Sequence, residues 1–136
     1  MPGKAFLDTN VLIYAVAQNE PRSARAEELL ASGGVLSVQI LNEFTAVARR
    51  KLRMPWAEVA EAVEVFLVLC PSLVPITLET HTAARAIAEK NGFHIYDALV
   101  VASALEAGCG ILYSEDFQDG QRIEGTLTVR NPFGKA

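Results

Sequence analysis

The run Ala5-Phe6-Leu7-Asp8-Thr9-Asn10-Val11-Leu12-Ile13-Tyr14-Ala15 is apolar except for three consecutive polar residues. A segment interrupted in this way is two elements rather than one. Residues 4–7 read as a short strand, and residues 11–15 as the start of a buried helix or a further strand. Asp8 therefore stands at the carboxyl end of the first strand, the edge of an open α/β sheet at which ligands bind. The same position suits a helix N-cap, because the side-chain oxygen of Asp8 or Asn10 can accept an N–H of the first helical turn. Both roles stay open on this stretch alone.

The rest of the chain continues the alternation. Residues 21–32 read as a helix with Pro21 in its first turn and Gly33-Gly34 as its stop, and Val35-Leu36-Ser37 as a second strand. Residues 38–52 carry Val38, Leu41, Phe44, Val47 and Ala48 at helical spacing, with Glu43 as the one acid and Arg49, Arg50, Lys51 and Arg53 at the far end. Pro55 opens a helix whose apolar stripe includes Trp56, Val59, Val63, Phe66, Leu67, Val68 and Leu69, while Glu58, Glu61 and Glu64 form its solvated face. Val74-Pro75-Ile76 suits an edge strand, and Thr77 caps a helix that runs to Asn91 with Gly92 beyond it. Residues 95–107 are apolar nearly all round, which marks a central, buried helix, and Asp97 lies in its first turn. Strand 110–113 leads into Ser114-Glu115-Asp116-Phe117, and residues 126–130 form a last strand after Asp119-Gly120. Strands alternating with helices give an α/β fold with a mainly parallel sheet covered on both faces.

A length of 136 residues suits one domain, 1–136, able to bury its own core without disulfides or a structural metal. Cys70 and Cys109 lack any CxxC partner or histidine cluster and read as buried, reduced thiols. No apolar run approaches the roughly 18 residues of a membrane span, and no leader-like segment opens the chain, so a cytoplasmic protein is expected. The net charge of -4 argues against holding nucleic acid by bulk positive field.

The chemistry-bearing residues are acids. Asp8 follows the first strand, Glu43 lies near the start of the helix after the second, Asp97 opens the buried helix and Asp116 follows the fourth strand. Right-handed crossovers bring all four toward one sheet edge. At about 5 Å and an effective dielectric of about 20, each pair of ionised carboxylates repels by about 3 kcal/mol. Raised pKa values or a bound cation must offset this, and oxygen ligands without Cys or His select a hard ion, Mg²⁺ or Mn²⁺. Each acid also has a plainer role: Asp97 complements a helix dipole, Glu43 can be a surface residue, and Asp116 a turn residue with Asp119 as the alternative fourth acid. His94, three residues before Asp97, reads as a loop or helix-entry residue rather than a ligand, His81 is expected to be exposed, and Glu115 to face solvent.

Read in order, Phe6-Leu7-Asp8-Thr9-Asn10-Val11-Leu12, then Glu43, then Tyr96-Asp97-Ala98-Leu99, then Ile111-Leu112-Tyr113-Ser114-Glu115-Asp116-Phe117, the chain resembles the PIN-domain family. Within that family it resembles the VapC toxin ribonucleases of bacterial type II toxin-antitoxin pairs, over essentially its whole length. The resemblance implies a sheet of about five strands sandwiched between helices, Mg²⁺-dependent endonucleolytic cleavage of RNA, a homodimer and inhibition by a cognate antitoxin. Ser114 stands where the family often has Thr and keeps the hydroxyl. On this reading Asp8, Asp97 and Asp116 hold the metal and Glu43 completes the acidic ring. Thr9, Asn10 and Ser114 orient ligands or water. Arg49, Arg50, Lys51 and Arg53 receive flanking phosphates, unless they only complement the dipole at the end of their helix. The stripe on the helix after Pro55, with Phe66 and Leu67 in it, is wide enough to meet a second copy or an antitoxin helix. Two rivals remain. A phosphoaspartyl, receiver-like domain wants further acids and a late lysine that Asn10 and Ser114-Glu115-Asp116 do not supply. A non-catalytic RNA-binding or scaffold domain could keep the same acidic pocket.

Overall fold

Strand β1 (Lys4–Leu7) lies between β2 (Val35–Ser37) and β4 (Cys109–Tyr113), parallel to both, in the computed structural model, which describes residues 4–134. Strands β3 (Ser72–Val74) and β6 (Leu127–Arg130) extend the sheet in parallel on either side. The two-residue β5 (Arg122–Ile123) adds an antiparallel edge, giving a six-stranded order β3-β2-β1-β4-β6-β5. The mainly parallel sheet follows the sequence reading. β5 was not foreseen, since two residues are too short to show a period. Adjacent residues Phe6 and Leu7 point to opposite faces and are both buried, so helices cover the sheet on both sides.

The helices are α1 (Thr9–Val16), α2 (Ser23–Ala31), α3 (Val38–Arg50), α4 (Trp56–Leu69), α5 (Leu78–Asn91) and α6 (Ile95–Glu106). The first four pack among themselves, and α5 pairs with α6, which rests on β4 and β6. Phe6, Leu12, Leu36, Ile40, Phe44, Leu112 and Val129 are fully buried at the centre. Each such side chain stabilises the fold by about 1.5–3 kcal/mol relative to exposure. Cys70 and Cys109 are free and buried, and Cys70 accepts the Gly34 N–H through sulfur at 3.3 Å. Gly34 itself admits no side chain: a Cβ there would stand 2.6 Å from Leu7 Cγ, next to Asp8.

Local chemistry sets the ends of the elements. Residues 11–15 are helical because Asp8 takes the N-cap position, with its carboxylate accepting the Thr9 N–H. Thr77 and Thr80 form a capping box on α5, and Gly92 ends that helix at φ 73°. Helix α2 starts at Ser23 rather than at Pro21. The Ser23 N–H closes a turn onto the Glu20 carbonyl at 3.1 Å, so Pro21 and Arg22 sit in the turn. Pro75 falls just beyond β3, because a residue without an N–H cannot extend the pairing to β2. The α4 stripe divides. Val59 and Phe66 enter the core, Phe66 edge-on to Phe44 at 4.9 Å, and Leu67 is half-buried. Val65, Val68 and Leu69 face outward instead. Phe66 is thus a core residue and not, as the stripe suggested, a contact for a partner. Among the described residues no helix is long and apolar enough to cross a membrane.

Candidate functional site

Strand pairing fixes the two residues on which the site is built. Leu7 is in register with Tyr113, and Tyr113 with Arg130. The Asp8 N–H donates to the Tyr113 carbonyl at 3.0 Å and the Ser114 N–H to the Arg130 carbonyl at 3.1 Å. Asp8 and Ser114 therefore leave neighbouring strands side by side. Ser114 Oγ donates to Asp8 Oδ2 at 2.6 Å and accepts the Asp116 N–H at 3.0 Å. Asp8 Oδ1 accepts the Thr9 N–H at 2.7 Å. One serine hydroxyl thus sets both the Asp8 carboxylate and the backbone that carries Asp116. Asp8 is only 3% exposed, and burial pushes its pKa up to about 7 although the Ser114 and Thr9 hydrogen bonds pull it down. Of the two roles read from the sequence, the helix cap is observed directly, and the same carboxylate stands at the carboxyl edge of the sheet beside Ser114.

The other acids arrive from separate elements. Glu43, in the second turn of α3, accepts from Thr9 Oγ1 at 3.5 Å and from Gln39 Nε2 at 3.4 Å. Burial raises its pKa, and Asp97 and Asp116 add to the rise. Asp97 comes from the first turn of α6. Burial also raises its pKa, Asp116 adds to this, and the His94 side chain opposes it. Asp116 is exposed, and its Oδ2 accepts from Asn10 Nδ2 at 3.3 Å. It is near enough to raise the pKa of Asp8, Glu43 and Asp97 alike. Asp119 instead accepts the Asn131 N–H at 2.9 Å, which leaves Asp116 as the fourth acid of the cluster. Thr9, Asn10 and Ser114 all touch these acids. Among the described residues none of the four acids is in an ion pair.

The basic residues do not act as a group. Arg49 lies over the Trp56 ring at 4.6 Å and donates to the Met54 carbonyl at 2.9 Å. Lys51 and Arg53 line a cavity with Gln18 and Glu58, a lining that does not include Glu43. Arg50 alone shares a cavity with Glu43. His81 is exposed, as expected, and His94 is the helix-entry residue of α6, also exposed.

A hard cation fits this donor set. Its ligands would be oxygens throughout, and the buried Asn10 Oδ1 at the rim has no hydrogen-bond partner. Among the described residues no three His, Cys, Asp or Glu side chains stand close enough to enclose an ion by themselves. An ion held here would therefore need waters or substrate oxygens to complete its shell.

Several contributing residues escaped the sequence reading. Glu115 does not face solvent. It accepts from the Tyr14 hydroxyl and reaches Arg22 Nη1 at 3.5 Å. Arg22 donates to Tyr14 Oη at 2.8 Å, lies 3.8 Å over its ring, and is gripped by Glu20 at 2.7 Å. Tyr14 stands four residues after Asn10 on α1, as Gln39 stands four before Glu43 on α3. That helical spacing was the available signal.

The fold has solved counterparts. The toxin VapC20 of Mycobacterium tuberculosis, described as cleaving the sarcin-ricin loop, is 19% identical with a TM-score of 0.69, covering 83% of this chain and 90% of that one. A toxin-antitoxin complex from Klebsiella pneumoniae gives 18% identity and a TM-score of 0.70, covering 96% and 98%. DNA-bound VapBC from Salmonella typhimurium gives 20% and 0.68, covering 97% and 99%. At these identities the likeness is one of fold. A comparison with curated protein sequences gives no match. The sequence does match the PIN domain over residues 5–119, a span that takes in Asp8, Glu43, Asp97 and Asp116, and the chain belongs to the PIN domain family.

Proposed function

We propose that this chain is an endoribonuclease dependent on Mg²⁺ or Mn²⁺, and the toxin half of a toxin-antitoxin pair. The observation that carries the reading is the convergence of four carboxylates from four separate elements on one sheet edge, with no cation of the described chain paired to any of them. The named activity of VapC20 and the toxin-antitoxin complexes of like fold support the choice of RNA and of an antitoxin partner. Membership of the PIN family replaces the receiver-like alternative.

Asp8, Asp97 and Asp116 are the residues that would hold the ion, directly or through water. When bound, such an ion polarises a phosphoryl oxygen and lowers the pKa of an attacking water. Asp8 is fixed through both oxygens and presents its remaining lone pairs in one orientation. Glu43 is held only by long contacts from Thr9 and Gln39, which leaves its carboxylate room to turn and accept a proton from the attacking water. Ser114 orients Asp8 and Asp116 together, and Asn10 steadies Asp116. Outside the site, Val65 and Leu69 line an apolar groove of about 240 Å³ with Ala15, Val16 and Leu30, and Val68 adjoins Val65 and Leu69 on their other side, surface for a second copy and for an antitoxin segment.

The test is RNA cleavage in Mg²⁺, in EDTA, and by Asp8→Asn. Activity in Mg²⁺ alone, lost in EDTA and in the variant, is expected, with a melting temperature that rises on adding the ion because only the folded state binds it. Cleavage that persists in EDTA would remove the metal. An intact wild type that binds RNA without cutting it would leave the non-catalytic reading in its place.

A further inference from the structure

Beside the acids lies a groove of about 470 Å³, within the range of about 300–1,000 Å³ usual for small-ligand sites. Gln39, Asn42, Glu43, Val47 and Arg50 of α3 form one wall, and Tyr96 of α6 forms the other. Glu43 belongs both to this groove and to the carboxylate cluster, so whatever fills the groove abuts the reacting centre. Tyr96 is 54% exposed, one residue before Asp97, on a helix that is buried from Ala98 to Ala104. It is braced rather than loose: its ring stacks on that of His94, 6.2 Å between centroids at 20°. An exposed, braced aromatic face is a poor use of apolar area in a core and a good platform for a flat ligand.

On the nuclease reading, we infer that this groove receives an unpaired nucleotide of single-stranded RNA flanking the cleaved bond, its base stacked on Tyr96 and its phosphate met by Arg50. Charge complementarity decides for this occupant. Arg50 is the one member of the basic cluster that shares this cavity with Glu43, at the end of the groove remote from α3's first turn. Gln39 and Asn42 line the same wall with amide groups, which can both donate to and accept from a base edge. A base already paired in a duplex could not turn its face onto the tyrosine, so the groove selects unpaired RNA.

The test uses the full chain and a fluorescently labelled single-stranded oligoribonucleotide. Binding is followed by anisotropy in EDTA, and steady-state cleavage in Mg²⁺. Tyr96→Ala is expected to weaken binding about tenfold and to raise KM by a similar factor with kcat unchanged, whereas Tyr96→Phe, which keeps the ring, behaves as wild type. Arg50→Gln should weaken binding and make its dependence on log salt shallower by about one unit. A duplex of the same sequence should show no dependence on Tyr96. Melting temperatures of the exposed-residue variants should match wild type, which separates binding from folding. Tyr96→Ala that binds and cleaves as wild type does would overturn the subsite while leaving the nuclease reading intact. Equal losses in Tyr96→Ala and Tyr96→Phe would overturn the stacking. A wild type that neither binds nor cleaves RNA would overturn both readings together.

Discussion

At Asp8 burial and hydrogen bonding act in opposite directions and burial dominates, so the folded protein holds this proton up to about pH 7 against an ordinary value of 3.8. The sign of the consequence follows by linkage. Below the ordinary value both folded and unfolded chains are protonated, and Asp8 adds no penalty. Between the two values the folded chain binds a proton that the unfolded chain has lost, so stability falls as pH rises, by on the order of 4 kcal/mol once the full shift is traversed. Glu43 and Asp97, also raised by burial, act with the same sign. In EDTA, calorimetry should therefore show a melting temperature that drops through this window. Asp8→Asn should remove most of the drop and melt above wild type at higher pH, and a variant as pH-sensitive as wild type would refute the assignment. Ser114 gives a second, finer prediction. Ser114→Ala removes the bond that lowers the Asp8 pKa and strands the buried oxygen it served, which costs about 1–3 kcal/mol. The rising limb of the pH–rate profile should move to higher pH in Ser114→Ala and stay in place in Ser114→Thr, which keeps the hydroxyl.

Between elements, the segment that carries Asp116 is tied down from outside the site. Glu115 holds it to Tyr14 on α1 and to Arg22 in the turn before α2, and Arg22 is itself locked by Glu20. Glu115→Ala should leave the core untouched but let Asp116 drift. The Mg²⁺ concentration needed to raise the melting temperature is expected to increase about 10- to 100-fold, as for other residues that orient metal ligands. An unchanged midpoint would show that the loop holds its place without Glu115. This contact also marks the limit of what the sequence discloses. Strands β1 and β2, the α5 ends at Thr77 and Gly92, and the positions of Asp8, Glu43, Asp97 and Asp116 on their elements were legible, because each depends on a neighbour a few residues away. Glu115 was not, since its partners are Tyr14 and Arg22, about a hundred positions earlier. The division of the basic cluster was hidden for the same reason. Its four side chains are close in sequence, but Arg49 is taken by Trp56 and Met54, Lys51 and Arg53 line one cavity with Gln18 and Glu58, and Arg50 lines another with Glu43.

For the molecule as a whole, the unresolved partition was that of α4, where a continuous apolar stripe says nothing about which residues meet the chain's own core. The fold assigns Val59 and Phe66 to the core and leaves Val65 at 54%, Val68 at 79% and Leu69 at 37% exposure on one face. A cluster of that kind marks an interaction surface more often than a monomer's ordinary exterior. Glu61 and Glu64 border it, which suits a two-fold contact with apolar centre and charged rim. A homodimer formed there makes a paired prediction. Wild type should sediment above the 14.7 kDa of one chain at micromolar concentration, and Val68→Glu should sediment as a folded monomer with the circular dichroism of wild type. Phe66→Glu should instead unfold, because it places an unpaired charge in the core at a cost of several kcal/mol. A Val68→Glu protein that still dimerises would move the interface to another face. A wild type that stays monomeric at every concentration would leave Val65, Val68 and Leu69 to the antitoxin, and Val68→Glu should then lower antitoxin affinity while RNA cleavage by the free chain stays unchanged.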